Sequence, residues 1–250
     1  MKPCVISKKT MKKLAVISDF HGNSPALKAV VKAAGESGYE HYLCCGDYLG
    51  YYYEGNKVID VIRSLPHTAV LGNHDRDFLD FLDGEMQMTD EYKKKYGSAL
   101  EIAVADVSPE NVDWLRSLSS ELEVTIENKR ILLCHGSPWD MNEYLYPDMP
   151  DYKLSEIYAL NYHMVIMGHC HYQYVKQDKR QIVLNPGSVG QARDRGGAAT
   201  WAVVTIEPDN IAVDLMRTEY NIDEVVAQVK LHDPEVLYLQ QVMKRGAHGI

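Results

Sequence analysis

The chain has 250 residues, 46% of them hydrophobic and 24% charged, with a formal net charge of −9. That balance suits a soluble domain with a substantial core, argues against a broad nucleic-acid-binding surface, and leaves no apolar run long enough to span a bilayer. Five cysteines, an odd number without a C-x-x-C pair, support neither a disulfide framework nor a zinc ribbon and point instead to reduced thiols in a cytosolic protein.

Residues 1–10 are basic, lack a secretory apolar segment and are expected to form a loose extension, with Met11 as an alternative start. A buried strand is predicted over residues 14–18, running into Asp19-Phe20-His21-Gly22. Ser24-Pro25 then opens a helix, with Ser24 as N-cap, an apolar stripe of Ala26, Leu27, Val30, Val31 and Ala34, and a stop at Gly35 or Gly38. A second strand over 41–45 ends at Gly46-Asp47. A helix over 57–65 follows, and a third strand over 68–71 ends at Gly72-Asn73-His74-Asp75. Such alternation predicts an α/β architecture with parallel strands.

Residues 75–120 read as helical, with Ser108-Pro109 as one helix start. A hairpin is expected from 122–126 and 130–134, leading to His135-Gly136. The strand over 165–167 leads to Gly168-His169-Cys170-His171. Further strands are predicted over 172–176, 181–184, 200–206 and 211–217, and a helical tail over 223–244. No repeat, low-complexity tract or linker divides the sequence, so residues 11–250 are expected to be one domain.

Five motifs thus sit beyond strand ends, where the loops of open α/β sheets form a binding crevice. A lone Asp, Asn or His beside Gly is usually a cap or turn. Five together supply two Asp, one Asn and four His as ligands, enough for two divalent ions, with His74 as a spare imidazole, and such a set suits hydrolysis of a phosphate ester. The mixed oxygen and nitrogen donors fit Mn, Fe, Zn or Ni better than Ca.

The series Asp19-x-His21, Gly46-Asp47, Gly72-Asn73-His74-Asp75, His135-Gly136 and Gly168-His169-x-His171, followed by Asn185-Pro186-Gly187-Ser188-Val189-Gly190-Gln191, resembles the calcineurin-like metallophosphoesterases, in particular their small single-domain bacterial and archaeal branch. The resemblance implies a four-layered α/β/β/α sandwich, here with a helical insertion. It also implies that Asp19, His21, Asp47 and His171 hold one metal and that Asp47, Asn73, His135 and His169 hold the second, so that Asp47 bridges. His74 would face substrate as a general acid, with Asp75 orienting its ring; the alternative for His74 is support of a metal ligand. Two ions about 3.5–4 Å apart can activate a bridging hydroxide for in-line attack, and His74 can protonate the leaving alkoxide.

Other candidates have an ordinary reading beside the functional one. Asn73 and Asn23 could contact substrate, or Asn23 could brace its loop. Arg193 could bind a phosphate oxygen or stay solvated at the surface. Tyr48, Tyr51, Tyr52 and Tyr53 could line the site mouth, but packing against the next helix is the favoured reading. Tyr144 and Tyr146 are further candidate walls, and Cys170 is expected to fill space between two ligands. The resulting expectation is a cytoplasmic, two-metal (manganese first, then Fe, Zn or Ni) phosphodiesterase for a small phosphoester, a nucleotide being one candidate. It would use no membrane and no extended nucleic acid, with homodimerisation open. The alternatives are a phosphomonoesterase, such as a protein phosphatase or dinucleotide polyphosphate hydrolase, or a protein-binding scaffold with a degraded site, as in the retromer complex.

Overall fold

A computed structural model describes residues 4–5, 13–39, 41–208 and 210–245. The elements run β1 (Cys4–Val5), β2 (Lys13–Ile17), α1 (Ser24–Glu36), β3 (His41–Cys44), α2 (Gly55–Ser64) and β4 (His67–Ala69). Four helices follow: α3 (Asn73–Leu82), α4 (Asp90–Tyr96), α5 (Ala99–Asp106) and α6 (Pro109–Ser117). Then come β5 (Glu121–Ile126), β6 (Lys129–Cys134), α7 (Asp151–Ala159), β7 (Met164–Ile166), β8 (Gln173–Gln177), β9 (Ile182–Pro186), β10 (Ala199–Ile206) and β11 (Ile211–Thr218). The tail is α8 (Ile222–His232), α9 (Leu237–Gln241) and a 3-10 turn at Val242–Lys244.

Two sheets form, in the orders β1-β5-β6-β7-β9-β8 and β11-β10-β2-β3-β4. In the second, β2, β3 and β4 are parallel, as the alternation predicts, and β10 closes antiparallel on β2. Side chains alternate across each strand. Leu14 and Val16 of β2 meet Val124, Ile131, Leu133, Ile166 and Leu184 in the core between the sheets. Ala15 and Ile17 face the other way, onto Leu27 and Val30 of α1, Ile59 of α2 and Trp201. On the far side of the first sheet, Leu132, Val165 and Val183 pack on Ile157 of α7. The result is the four-layered α/β/β/α sandwich, with α3–α6 as the helical insertion.

Local details depart from expectation in instructive ways. The cap of α1 is Asn23, not Ser24: its side chain accepts from the Ala26 amide at 3.1 Å, with Pro25 inside the first turn. The hairpin turn is two residues, Glu127-Asn128, both at positive φ, rather than three; this backbone matches the twist of paired strands. Helix α7 carries no signal in the sequence reading, since it buries only Ile157. Of the predicted N-terminal extension, Cys4–Val5 pairs in parallel with Val124 and Thr125, and its other residues lie outside the described ones. Among the described residues no helix is long and apolar enough to cross a membrane, and Cys44, Cys45, Cys134 and Cys170 are buried free thiols.

Candidate metal centre

Strands β2, β3, β4, β6 and β7 deliver the five motifs to one end of the sandwich. There the backbone takes an uncommon shape: Asp19, His21, Asp47, His169 and His171 all have φ between 51° and 66°. Left-handed backbone costs a non-glycine residue on the order of 1–2 kcal/mol, so five such residues in one site need a framework that holds them. The loops supply it. Asp19 N donates to Gly46 O, Phe20 N and His21 N donate to Asp47 O, and Gly22 N donates to Tyr48 O. His169 N donates to the Asp19 carboxylate at 3.0 Å, and Gly168 N donates to His135 O.

Two of the flanking glycines are required for close approach. A Cβ on Gly72 would lie 2.2 Å from Asp47 Oδ1, and one on Gly168 would lie 2.1 Å from Ser18 Oγ. The run from Asn185 to Gln191 completes the frame. Ser188 Oγ and Gly190 N both donate to Asp19 O, and Asn185 Nδ2 donates to Gly168 O.

The candidate ligands fall into the two expected sets. Asp19, His21, Asp47 and His171 offer atoms that all lie within 4.8 Å of one another, and so do Asp47, His135 and His169. One oxygen belongs to both. Asp47 Oδ2 lies 3.7 Å from His21 Nε2 and 3.3 Å from His135 Nε2, while Asp47 Oδ1 is occupied by the His74 amide at 2.9 Å. Asn73 joins the second set, its Oδ1 3.0 Å from His135 Nε2.

The ring nitrogens show that these residues fit a cation. Nδ1 of His21, His135 and His171 sits against the carbonyls of Leu49, Cys45 and Gln191 at 3.0, 2.6 and 2.8 Å. A carbonyl only accepts, so each Nδ1 carries the proton and each Nε2 turns a lone pair inward. His169 is reversed: its Nε2 donates to Asn142 O at 3.2 Å and its Nδ1 faces His135. Inward-facing nitrogens then approach closely, His21 Nε2 to His171 Nε2 at 2.9 Å and His135 Nε2 to His169 Nδ1 at 3.2 Å. Lone pairs at that separation repel unless a proton or a metal ion lies between them.

Protonation is disfavoured at most of these rings. Burial, then His171, holds His21 well below the ordinary imidazole range; burial, then Arg193, does the same to His171. Burial and His135 take His169 down to about 4. His135 is the exception. Burial opposes its charge, but the Asp47 carboxylate outweighs that and raises it to about 9. This is the electrostatic signature of a pocket that wants positive charge.

His74 lies beside the ligands without joining either set. Its ring meets His21 edge-on at 5.1 Å, Tyr51 at 5.0 Å and Tyr96 at 5.0 Å, and its buried Nδ1 has no hydrogen-bond partner among the described residues. Burial keeps its pKa below the usual range, with Asp47 pulling the other way. Asp75 does not orient that ring, contrary to expectation. Its Oδ2 accepts from the amides of Asp47 and Gly72, and its Oδ1 from those of Tyr48 and Leu49, all between 2.9 and 3.0 Å. The carboxylate ties the bridging loop to the start of α3. Asp75→Asn leaves one acceptor for four amides. At about 1–3 kcal/mol per unsatisfied buried donor, a loss of roughly 2–4 kcal/mol is expected in urea unfolding of the metal-free protein.

The remaining candidates separate cleanly. Asn23 is buried, and its side chain is spent on Ala26 N, Gly190 O and Tyr220 OH, which is the bracing alternative. Tyr48, Tyr52 and Tyr53 are buried, their hydroxyls bonded to Val70 O, Leu239 O and Asp233. Tyr51 differs: its ring touches His21 at 4.6 Å and its hydroxyl accepts from Arg193 Nη2 at 2.9 Å. Arg193 N also donates to His171 O, and Nη2 donates to Gln191 Oε1 as well as to Tyr51, so the guanidinium is anchored at the site rather than loose at the surface. Cys170 is buried beside Asn185, and burial pushes its thiol up to about 12, leaving it a filler.

Comparison with known proteins agrees with this geometry. The model of the calcineurin-like phosphoesterase superfamily domain matches residues 11–209. The chain belongs to this superfamily. An uncharacterized protein of Methanocaldococcus jannaschii is 30% identical over 235 residues, covering 86% of this chain and 91% of that protein. The crystal structure of a metallophosphoesterase from Sphaerobacter thermophilus superposes with a TM-score of 0.70 at 25% identity, covering 93% of this chain and 98% of that one. A hypothetical protein from Pyrococcus horikoshii shares the fold at a TM-score of 0.79 and 22% identity, covering 94% and 98%.

Proposed function

We propose that this superfamily member is a phosphoesterase that uses two divalent ions, and within that class a phosphodiesterase. The observation that carries the proposal is the convergence of two ligand sets on one carboxylate oxygen, Asp47 Oδ2, beside an uncommitted imidazole. When bound, the ions would supply Lewis acidity and a low pKa for water at neutral pH. Manganese is the first expectation, and Fe, Zn and Ni suit the same donors.

The chain's own residues divide the remaining work. Asp19, His21, Asp47 and His171 would hold one ion, and Asp47, Asn73, His135 and His169 the other, with Asn73 also within reach of substrate. Arg193, which has no carboxylate partner among the described residues, would take a non-bridging phosphate oxygen, its fork set by Tyr51 and Gln191. His74 would give a proton to the leaving alkoxide. A single guanidinium beside the ion positions, among the described residues, matches the one charge of a diester better than the two of a monoester. We place this activity in the cytoplasm, on a small phosphoester, with homodimerisation an accompanying expectation.

The test is to strip the protein of metal, reconstitute it with manganese and compare bis(p-nitrophenyl) phosphate with p-nitrophenyl phosphate. Faster turnover of the diester is expected. Turnover of the monoester alone would make the chain a phosphomonoesterase. Inactivity with every divalent ion, alongside tight binding to a protein, would make it a scaffold.

A further inference from the structure

The loop between β6 and α7 does more than carry His135. Its Asn142 carbonyl fixes the His169 ring. Two residues on, Tyr144 lies against that ring, centroids 3.8 Å apart at 33°. Tyr146 lies parallel to Tyr144 at 5.7 Å and 9°, and Tyr172 closes the row edge-on at 5.6 Å. Between the tyrosines, Leu145 is buried and its carbonyl accepts from Tyr174 OH at 2.8 Å. Leu145 is anchored inward between them, and the parallel rings show Tyr144 and Tyr146 presented together.

These two residues are 44% and 39% exposed, whereas Tyr48, Tyr52 and Tyr53 are buried with satisfied hydroxyls. The Arg193 guanidinium also stands beside the Tyr144 hydroxyl. The row thus starts at a candidate metal ligand and borders the one arginine placed for phosphate.

We propose that Tyr144 and Tyr146 form a stacking platform for the nucleobase of the substrate, making the substrate class a nucleoside phosphodiester. The proposal rests on the phosphoesterase reading above. Half-exposed, prealigned aromatic faces gain most from a planar ring, and base stacking on aromatic side chains is tolerant of base identity. The platform therefore selects for a base without selecting which one. On this reading both tyrosines act on binding of the base rather than on the chemistry at phosphorus.

Two measurements test this together. Calorimetry on the manganese-loaded protein compares adenosine 5′-sulfate with methyl sulfate, singly charged anions that lack a phosphoester. The base-bearing anion is expected to bind roughly ten- to hundredfold tighter. Tyr144→Ala and Tyr146→Ala should erase that preference, and Tyr144→Phe and Tyr146→Phe should keep it. In parallel, kcat/KM is measured for thymidine 5′-(p-nitrophenyl phosphate) and methyl p-nitrophenyl phosphate, which share a leaving group. Their ratio should favour thymidine in the wild type and collapse in the alanine variants, a comparison in which any effect on His169 cancels. Equal binding of the two sulfates, or a preference that survives both alanine variants, overturns the platform. Hydrolysis of neither ester while the base preference persists overturns the phosphoesterase reading and leaves the platform standing.

Discussion

Replacing Asp47 with Asn is expected to weaken both ion positions at once. The carboxylate oxygen Oδ2 lies 3.7 Å from His21 Nε2 and 3.3 Å from His135 Nε2, so on the proposed reading its charge and lone pairs would serve both sets. An amide in its place presents either a neutral oxygen or an N–H group, and neither can bridge two cations. Loss of groups that merely support ligands already costs 10–100-fold in metal affinity; loss of a shared ligand should cost at least about 100-fold at each position. The substitution spares the fold, because the amide oxygen can still accept from the His74 amide as Asp47 Oδ1 does. His21→Asn is the contrasting case. It touches only the set of Asp19, His21, Asp47 and His171, and should leave one ion bound. Metal analysis after equilibrium dialysis distinguishes the two. An Asp47→Asn protein that keeps two ions would show that the carboxylate does not bridge.

His74→Asn should behave in the opposite way, keeping the metals and losing turnover. His74 Nδ1 has no partner among the described residues, and its ring contacts are aromatic rings rather than inward-facing donors. Removing a positioned general acid typically costs about 10²–10⁴-fold in rate. The loss should be large for alkoxide leaving groups such as a ribose hydroxyl, which need a proton. It should shrink for nitrophenolate, which needs little. A variant slowed equally on both, or one that loses an ion, would assign His74 to ligand support instead.

How far the sequence reveals this site depends on which part of a residue does the work. The candidate ligands are legible because each is a side chain of the right type within a glycine-flanked motif at a strand end, and the strand pattern carries them to one edge. The partners that set the histidine rings are not legible. They are backbone carbonyls of Leu49, Cys45, Gln191 and Asn142, and a carbonyl has no residue type to read. Asp75 is misread for a related reason. Its neighbour in sequence is His74, but its partners include amides 26 to 28 residues earlier, a contact made by tertiary folding alone. The capping of α1 by Asn23 instead of Ser24 is a one-residue choice between two good caps, settled by the bonds Asn23 also makes to Gly190 and Tyr220. Among the tyrosines, the hydroxyl partner Arg193 separates Tyr51 from the packed ones and exposure separates Tyr144 and Tyr146, and neither property is written in the local sequence. The fold is more legible than the site because strand periodicity and the glycine-flanked loops both report on the same sandwich.

The most direct test is a titration of metal-free protein with manganese, following hydrolysis of bis(p-nitrophenyl) phosphate against equivalents added under tight-binding conditions. Activity is expected to be absent in chelator, to rise with added ion and to level off at two equivalents per chain. A plateau at one equivalent, or the same rate with chelator as without, would contradict a two-ion centre built on Asp47.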